Sequence, residues 1–410
     1  MSTEQTNSAA ERKVPLMFAP QTSRHFTRRI DPETGMSYYV LSTRVAPVQQ
    51  NFYFVNAACE PSRRYLWFYC AFPPAPARCA GVVDLMADEV RLFPDTGTEC
   101  VESCMVDERT GNLYWGSSRG IFMRTPHPQD RAVRIADMPA EAAAKLGCSM
   151  GTHLTFSPDR RELGVDIQTP NGTYGSFIGT VDIASGHFTQ WYRSEDGVPY
   201  NHAQFCPTDS DLIMVAHEGS INIALGRRTS PALTPEGIYP RLQLIRRDGS
   251  REMRKPLNNY ATHEWWAADG RSIYYCSKNH IVRDRLGSHE AECVCHIPIE
   301  GGNGTWHAHC TRDEQYFVVD GSLPSMGLSW WRGCASTVRF WNDRTHRLCT
   351  LISRNPVVEN WTPQDPCPYH IDPHPRFVWD DEWVCFTTTV AGRVDIALAP
   401  VDQLIAATEA

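Results

Sequence analysis

A short pattern recurs seven times along this chain, and that count constrains the fold more than any other feature. Each copy joins a few alternating residues, a polar turn holding Pro, Asp or Gly, and a β-rich run. The copies are Glu60-PSRRYLWFYC, Met105-VDERTGNLYWGS, Ser157-PDRRELGVDI, Cys206-PTDSDLIMVAH, Ala267-ADGRSIYYCS, Thr311-RDEQYFVVDG and Val378-WDDEWVCFTT. Successive copies begin 44 to 67 residues apart, an irregular period that fits propeller blades with loop insertions. The turn residues supply the backbone conformations a tight hairpin needs. A second hairpin follows most copies, as in VDLMADEVRLF, TVDIASGHFTQWY, LQLIRRDGSREM and VRFWNDRTHRLCTLI, so a blade reads as four strands, A to D. The last copy is followed only by VDIALAPV, while IDPETGMSYYVL near the N-terminus is a turn and strand with no blade of its own.

The expected fold is therefore all-β: a seven-bladed β-propeller over residues 21–410, its last blade closed by an N-terminal strand within residues 30–42. Such closure removes free sheet edges. Residues 1–20 read as a flexible segment or an oligomer arm, which leaves a homo-oligomer open. Helix should be scarce, with residues 140–146 the best candidate. Residues 226–240 read as a loop between blades four and five.

Composition narrows the partners. With 42% hydrophobic and 21% charged residues the chain is globular rather than disordered. A net charge of −8 argues against a nucleic-acid backbone as partner. The opening MSTEQTNSAAERKVP has no apolar core, and no run of eighteen apolar residues occurs, so neither a signal peptide nor a membrane span is expected. The fifteen cysteines are odd in number and include no C-x-x-C pair. They read as reduced, mostly buried residues of a cytoplasmic protein without structural zinc.

Aligned on their turns, five copies carry histidine at one position four residues upstream: His153, His202, His263, His307 and His374. The first two copies carry Asn56 and Val101 there. The chain holds only fifteen histidines, so five in register is far beyond composition. The position is the start of the innermost strand. Equivalent starts around one axis form a ring at one mouth of the channel, where ligand pockets are expected. Residues two further on, such as Gln204 and His309, share that face. A repeated histidine can be a structural hydrogen-bond anchor, but it is also the commonest metal ligand and the natural acid–base group near neutral pH. Asp372 and His374 lie two apart in Tyr369-His-Ile-Asp-Pro-His374, on one face of an extended segment. With His307 from the neighbouring blade they make a three-ligand N/O set suited to Mn²⁺, Fe²⁺ or Zn²⁺.

Asp31-PETG, Asn201-HAQFCPTDSDLIMVAHEG, Tyr239-PRLQLI, Thr262-HEWW, Trp306-His and Asp372-PHPRF together resemble the oligogalacturonate lyase family, almost end to end. The resemblance implies a cytoplasmic seven-bladed propeller enzyme that acts on uronate oligosaccharides, as in pectin degradation. It implies His263 as Brønsted base, Arg241 as assistant at the substrate carboxylate, and His307 as a metal ligand. The family's last-blade ligands follow Gln-x-x-His-x-His; here that frame reads Tyr369-x-x-Asp372-x-His374, with His370 beside the altered position. The expected metal set is thus His307, Asp372 and His374, and the expected substrate-binding set His153, His202, His309, Tyr369 and His370. The cofactor expected is a divalent metal, Mn²⁺ first, with Ca²⁺, Mg²⁺, Fe²⁺ and Zn²⁺ also compatible. The substrate expected is a uronate-containing oligosaccharide, cleaved by β-elimination to a 4,5-unsaturated uronate. A metal-dependent hydrolase or isomerase of a sugar acid, or a non-catalytic glycan- or protein-binding propeller, stay open as alternatives.

Overall fold

In every copy, the β-rich run after the turn becomes the second strand of an antiparallel sheet, and seven such sheets stand as blades around one axis. The computed structural model describes residues 19–75, 77–98, 103–144, 148–168, 175–194, 198–217, 221–222, 227–228, 232–288, 290–297, 305–323, 335–358, 369 and 371–410. The second strands are Tyr65–Ala71, Leu113–Ser117, Glu162–Gln168, Asp209–His217, Ser272–Ser277, Tyr316–Ser322 and Trp383–Thr388. Their near-continuous burial follows from their place inside each blade, covered by neighbouring blades on both faces. No helix among the described residues is long and apolar enough to cross a membrane.

Blade seven closes the ring with the N-terminus, and with one strand more than expected. Its order is Phe26–Ile30, Ser37–Leu41, Asp395–Pro400, Trp383–Thr388, Arg376–Val378. Tyr39 pairs with Leu398 and Val40 with Ala397. Tyr38, Val40, Phe386 and Ala397 share one buried cluster. The C-terminal helix Asp402–Glu409, unannounced by the sequence pattern, locks this junction. Leu404 is buried in the same cluster, and Gln403 Oε1 accepts the Ser37 backbone N–H at 2.9 Å. The expected helix over 140–146 is a single turn, Ala140–Ala143; residues 145–147 lie outside the described ones.

The segment expected between blades four and five instead lies within blade four. Asp209–His217 pairs directly with Leu242–Arg246, so the intervening residues are a long excursion between strands B and C. The hairpin LQLIRRDGSREM, read as the second hairpin after copy four, is the C and D pair of that blade, so the segment before it belongs inside blade four.

The core is a series of wedges between blades rather than one cluster. Trp67, Val83, Trp115, Trp379 and Leu398 pack where blades seven, one and two meet. Trp265, Tyr274, Ala308 and Phe317 fill the junction of blades five and six. Gly116 marks how close neighbours come: a Cβ there would lie 1.7 Å from the Met150 carbonyl oxygen of blade three. Side chains of the second strands also reach across. Cys104 N–H donates to Tyr69 Oη at 2.7 Å, Ala203 N–H to Asp166 Oδ2 at 3.1 Å, His374 N–H to Asp320 Oδ2 at 3.1 Å, and Asn51 N–H to Thr387 Oγ1 at 3.0 Å.

The closure predicts a contrast between adjacent tyrosines. Tyr38 is 2% exposed, and Tyr38→Ala should lower unfolding free energy by about 3–5 kcal/mol, the usual cost of truncating a buried aromatic. Tyr39 is only half-buried against Trp383, and Tyr39→Ala should cost clearly less. Urea denaturation followed by fluorescence checks both.

Candidate metal centre

Each innermost strand is interrupted where the histidine stands. In blades four, five and six the ladder to the second strand shifts register between Asn201 and Gln204, Thr262 and Trp265, and Thr305 and Ala308. His202, His263 and His307 lie in those bulges. His202, His263 and His374 take positive φ, at 56°, 54° and 45°, a region most side chains avoid. In blade three the inner strand is split into Ser149–Met150 and Thr155–Phe156, with His153 in the gap. A bulge re-aims a side chain out of the alternating pattern, and here it turns each ring toward the axis.

The five histidines converge. His263 and His307 have ring centroids 4.2 Å apart, as do His307 and His374, and His153 and His202. Asn56, at the equivalent place in blade one, instead donates to the Leu154 carbonyl; Val101 lies outside the described residues. One ligand atom each from His307, Asp372 and His374 fall within 4.8 Å of one another, all three residues buried. His374 Nε2 is 3.8 Å from Asp372 Oδ2. Nδ1 of His307 lies 3.0 Å from Asp320 Oδ2. Burial would depress the His307 pKa, but the Asp320 and Asp372 carboxylates more than offset this and raise it.

Four carboxylates stand around the ring with little exposure: Asp166, Glu264, Asp320 and Asp372. One buried cation, Arg241, faces them; its Nε donates to Glu264 Oε2 at 3.0 Å. Glu264 Oε1 is also 3.5 Å from His202 Nδ1. Burial raises the Asp166 pKa against the opposing pull of hydrogen bonds from Thr152 and Ala203. Imidazoles and carboxylates gathered in this way suit a divalent cation held by mixed N and O donors.

Two residues absent from the sequence reading complete the ring. Tyr53 stacks on His153 with centroids 4.4 Å apart and touches His202, His307 and His374 at 5.6, 5.6 and 5.0 Å. Phe54 contacts His263 and His307. Their segment crosses the channel, held by Asn51 Nδ2 donating to the His374 carbonyl and Arg376 Nη1 donating to the Phe54 carbonyl. Little in the repeat marks Tyr53: it precedes the aligned position, and the one other copy with tyrosine at that offset has Tyr260, which is exposed. Asp166 and Asp320 did carry a signal: both stand at the same distance past the turn of their copies.

Not every expected residue joins the mouth. His309 lies elsewhere, with Gln204 and Arg376, in a cavity of about 370 Å³ bordered by the turns of the blades, and none of the five ring histidines lines it. Tyr369 is buried and its hydroxyl donates to the Ala75 carbonyl of blade one at 2.6 Å. Arg241 directs its Nε and Nη2 at Glu264. His370 lies outside the described residues.

No family model matches this sequence, and no curated protein matches it. Solved structures do. An oligogalacturonate lyase in complex with manganese superposes with a TM-score of 0.69 at 16% identity, covering 92% of this chain and 96% of that one. An oligogalacturonate lyase from Vibrio parahaemolyticus superposes with a TM-score of 0.70 at 17% identity over the same shares. The likeness is one of fold: a seven-bladed propeller, end to end.

Burial and Arg376 hold the His309 pKa well below the ordinary imidazole value. The unfolded chain takes up this proton near pH ~6.5 and the folded chain resists it, so stability from this group is present above that value and lost as pH falls through it toward the folded pKa. His307, with a raised pKa, acts in the opposite sense. His309→Gln should therefore lose less thermal stability than the parent between neutral and mildly acid pH. Parallel Tm–pH curves for the two proteins would count against a neutral His309.

Proposed function

We propose that this protein is a polysaccharide lyase that cleaves uronate-containing oligosaccharides by metal-assisted β-elimination, leaving a 4,5-unsaturated uronate. The observation that carries the reading is a candidate base, His263, whose ring is 4.2 Å from His307, itself one of three clustered ligand residues. An acid–base group beside a cation site is what removal of a weakly acidic proton next to a carboxylate requires. The fold likeness to two oligogalacturonate lyases, one of them a manganese complex, supports the same reading.

His307, Asp372 and His374 would hold the cation, with Mn²⁺ the first choice. Bound there, a divalent ion supplies Lewis-acid neutralisation of the uronate carboxylate. His263 takes the C5 proton as the C4–O4 bond breaks and the C4–C5 double bond forms; the departing O4 takes a proton from solvent. Thr262 Oγ1 lies 3.1 Å from His263 Nδ1. With Nδ1–H donating to that hydroxyl, Nε2 keeps the lone pair that accepts the proton. Arg241 sits behind the ring, and its pairing with Glu264 lessens the repulsion an anionic substrate meets. His202, tilted against Tyr53 and partly exposed, offers a polar edge to sugar hydroxyls, while His153 stacks on Tyr53 and is buried. We assign the activity to the cytoplasm, on oligomers released from a uronate-rich polysaccharide such as pectin.

Incubation of Mn²⁺-loaded protein with a panel of uronate oligosaccharides should produce the ultraviolet absorbance of the 4,5-unsaturated product. His263→Ala should lower the rate by about 10²–10⁴-fold, the usual worth of a general base, with metal binding retained. Chelation should abolish the signal and Mn²⁺ restore it. Saturated products would point to hydrolysis instead. No turnover on any uronate, from folded and metal-loaded protein, would sink the enzymatic reading.

A further inference from the structure

We infer that Asp320 is the positioning residue of the metal centre: one carboxylate on strand B of blade six sets both histidine ligands and the tautomer of His307. The inference rests on the metal reading above and goes beyond it, since Asp320 is not itself among the clustered ligands.

The geometry is specific. Asp320 Oδ1 accepts the backbone N–H of His307 at 2.8 Å. Oδ2 accepts the backbone N–H of His374, from the next blade, at 3.1 Å. The imidazole Nδ1 of His307 approaches the same carboxylate at 3.0 and 3.2 Å. All three residues are nearly inaccessible to solvent. A carboxylate only accepts hydrogen bonds, so in the neutral ring Nδ1 carries the proton and Nε2 keeps its lone pair. Nε2 is then the ring atom with which His307 would meet a cation beside Asp372 and His374. A carboxylate behind a ligating imidazole fixes ring orientation and raises ligand basicity. Asp320 does this for one ligand and anchors the main chain of a second, across a blade boundary that no strand pairing bridges.

Asp166 provides an internal control. It occupies the same place in blade three and takes the Thr152 and Ala203 backbone N–H groups at 3.0 and 3.1 Å. Thus it ties blade three to blade four as Asp320 ties six to seven, but it touches none of the three ligands. A purely architectural role for these aspartates predicts the same phenotype for both. A positioning role separates them.

Asp320→Asn is the sharper substitution. Each oxygen of Asp320 accepts from a backbone N–H, so either orientation of the amide sets an NH₂ against a donor. We expect Asp320→Asn to weaken Mn²⁺ binding by about 10–100-fold, read on the full chain from the free-ion electron paramagnetic resonance signal. Asp166→Asn should lower the thermal midpoint while changing the Mn²⁺ Kd far less than Asp320→Asn does. His374→Ala should abolish binding. Unchanged affinity in Asp320→Asn, with binding lost in His374→Ala, overturns the inference and leaves the metal reading standing. Equal weakening in both aspartate variants overturns it in favour of architecture. Failure of the parent protein to bind any divalent ion removes the metal reading, and this inference with it. Should Asp320→Asn not fold, ¹⁵N spectra of the parent imidazoles at alkaline pH decide: an Nδ1–H tautomer at His307 is expected, and an Nε2–H tautomer overturns the assignment.

Discussion

The carboxylate of Asp320 is where the fold and the site depend on the same bonds. Blades of a propeller are separate sheets, and near the axis their inner strands start without a neighbouring strand to pair with. The backbone N–H groups at those starts are buried, and a buried N–H without an acceptor costs about as much as a lost hydrogen bond. The chain solves this with side chains from the preceding blade. Tyr69 serves Cys104, Asp166 serves Ala203, Asp320 serves His374 and Thr387 serves Asn51. The last of these crosses the ring closure, so the N-terminal segment is held at the axis as well as at the outer edge through Ser37–Leu41. Three acceptor chemistries at one structural position show that the requirement is for an acceptor, not for a particular residue.

The histidines are held in a conformation that a free strand would not choose. Positive φ at His202, His263 and His374 costs on the order of 1–3 kcal/mol at each position, and the bulges forfeit ladder bonds besides. Those costs are offset by inter-blade acceptors and by ring packing around Tyr53. The return is that imidazoles from five blades face a common point rather than alternating into the blade junctions. The histidine cluster packed around Tyr53 and the cavity with His309 and Arg376 are distinct environments, since none of the five histidines lines that cavity.

How much of this the sequence exposes follows from what repeats. Seven copies in one chain must adopt one local conformation, so a residue type recurring at one offset converges on the axis in any propeller. That is why the five histidines, the closing strand and the trio of His307, Asp372 and His374 were legible without coordinates. Features outside the repeat had no such amplifier. Tyr53 lies in a connecting segment of blade one, and Phe26–Ile30 pairs with a strand only because Ser37–Leu41 is already docked. Arg241 illustrates a different limit. Its presence near the ring was foreseeable, but its engagement with Glu264 depends on a blade-to-blade distance that no spacing encodes. The place of His309 was misjudged for a similar reason: alternation gives the face of a strand, not which cavity that face lines.

The charges around the ring order the events that the proposed chemistry requires. Glu264, Asp320 and Asp372 outnumber Arg241 in a region nearly closed to water, where a unit charge at 4 Å is felt several-fold more strongly than in bulk solvent. A uronate carboxylate approaching that cluster alone is repelled. A cation is attracted, and more strongly because the last-blade frame carries Asp372 where a neutral histidine would leave one negative charge fewer. The aspartate therefore favours occupancy by the ion while making the site less hospitable to an anion until the ion is in place. On the reading proposed, cation first and substrate second is the order the electrostatics favour, because the acidic surroundings that draw in the ion would repel an anionic substrate from a metal-free enzyme.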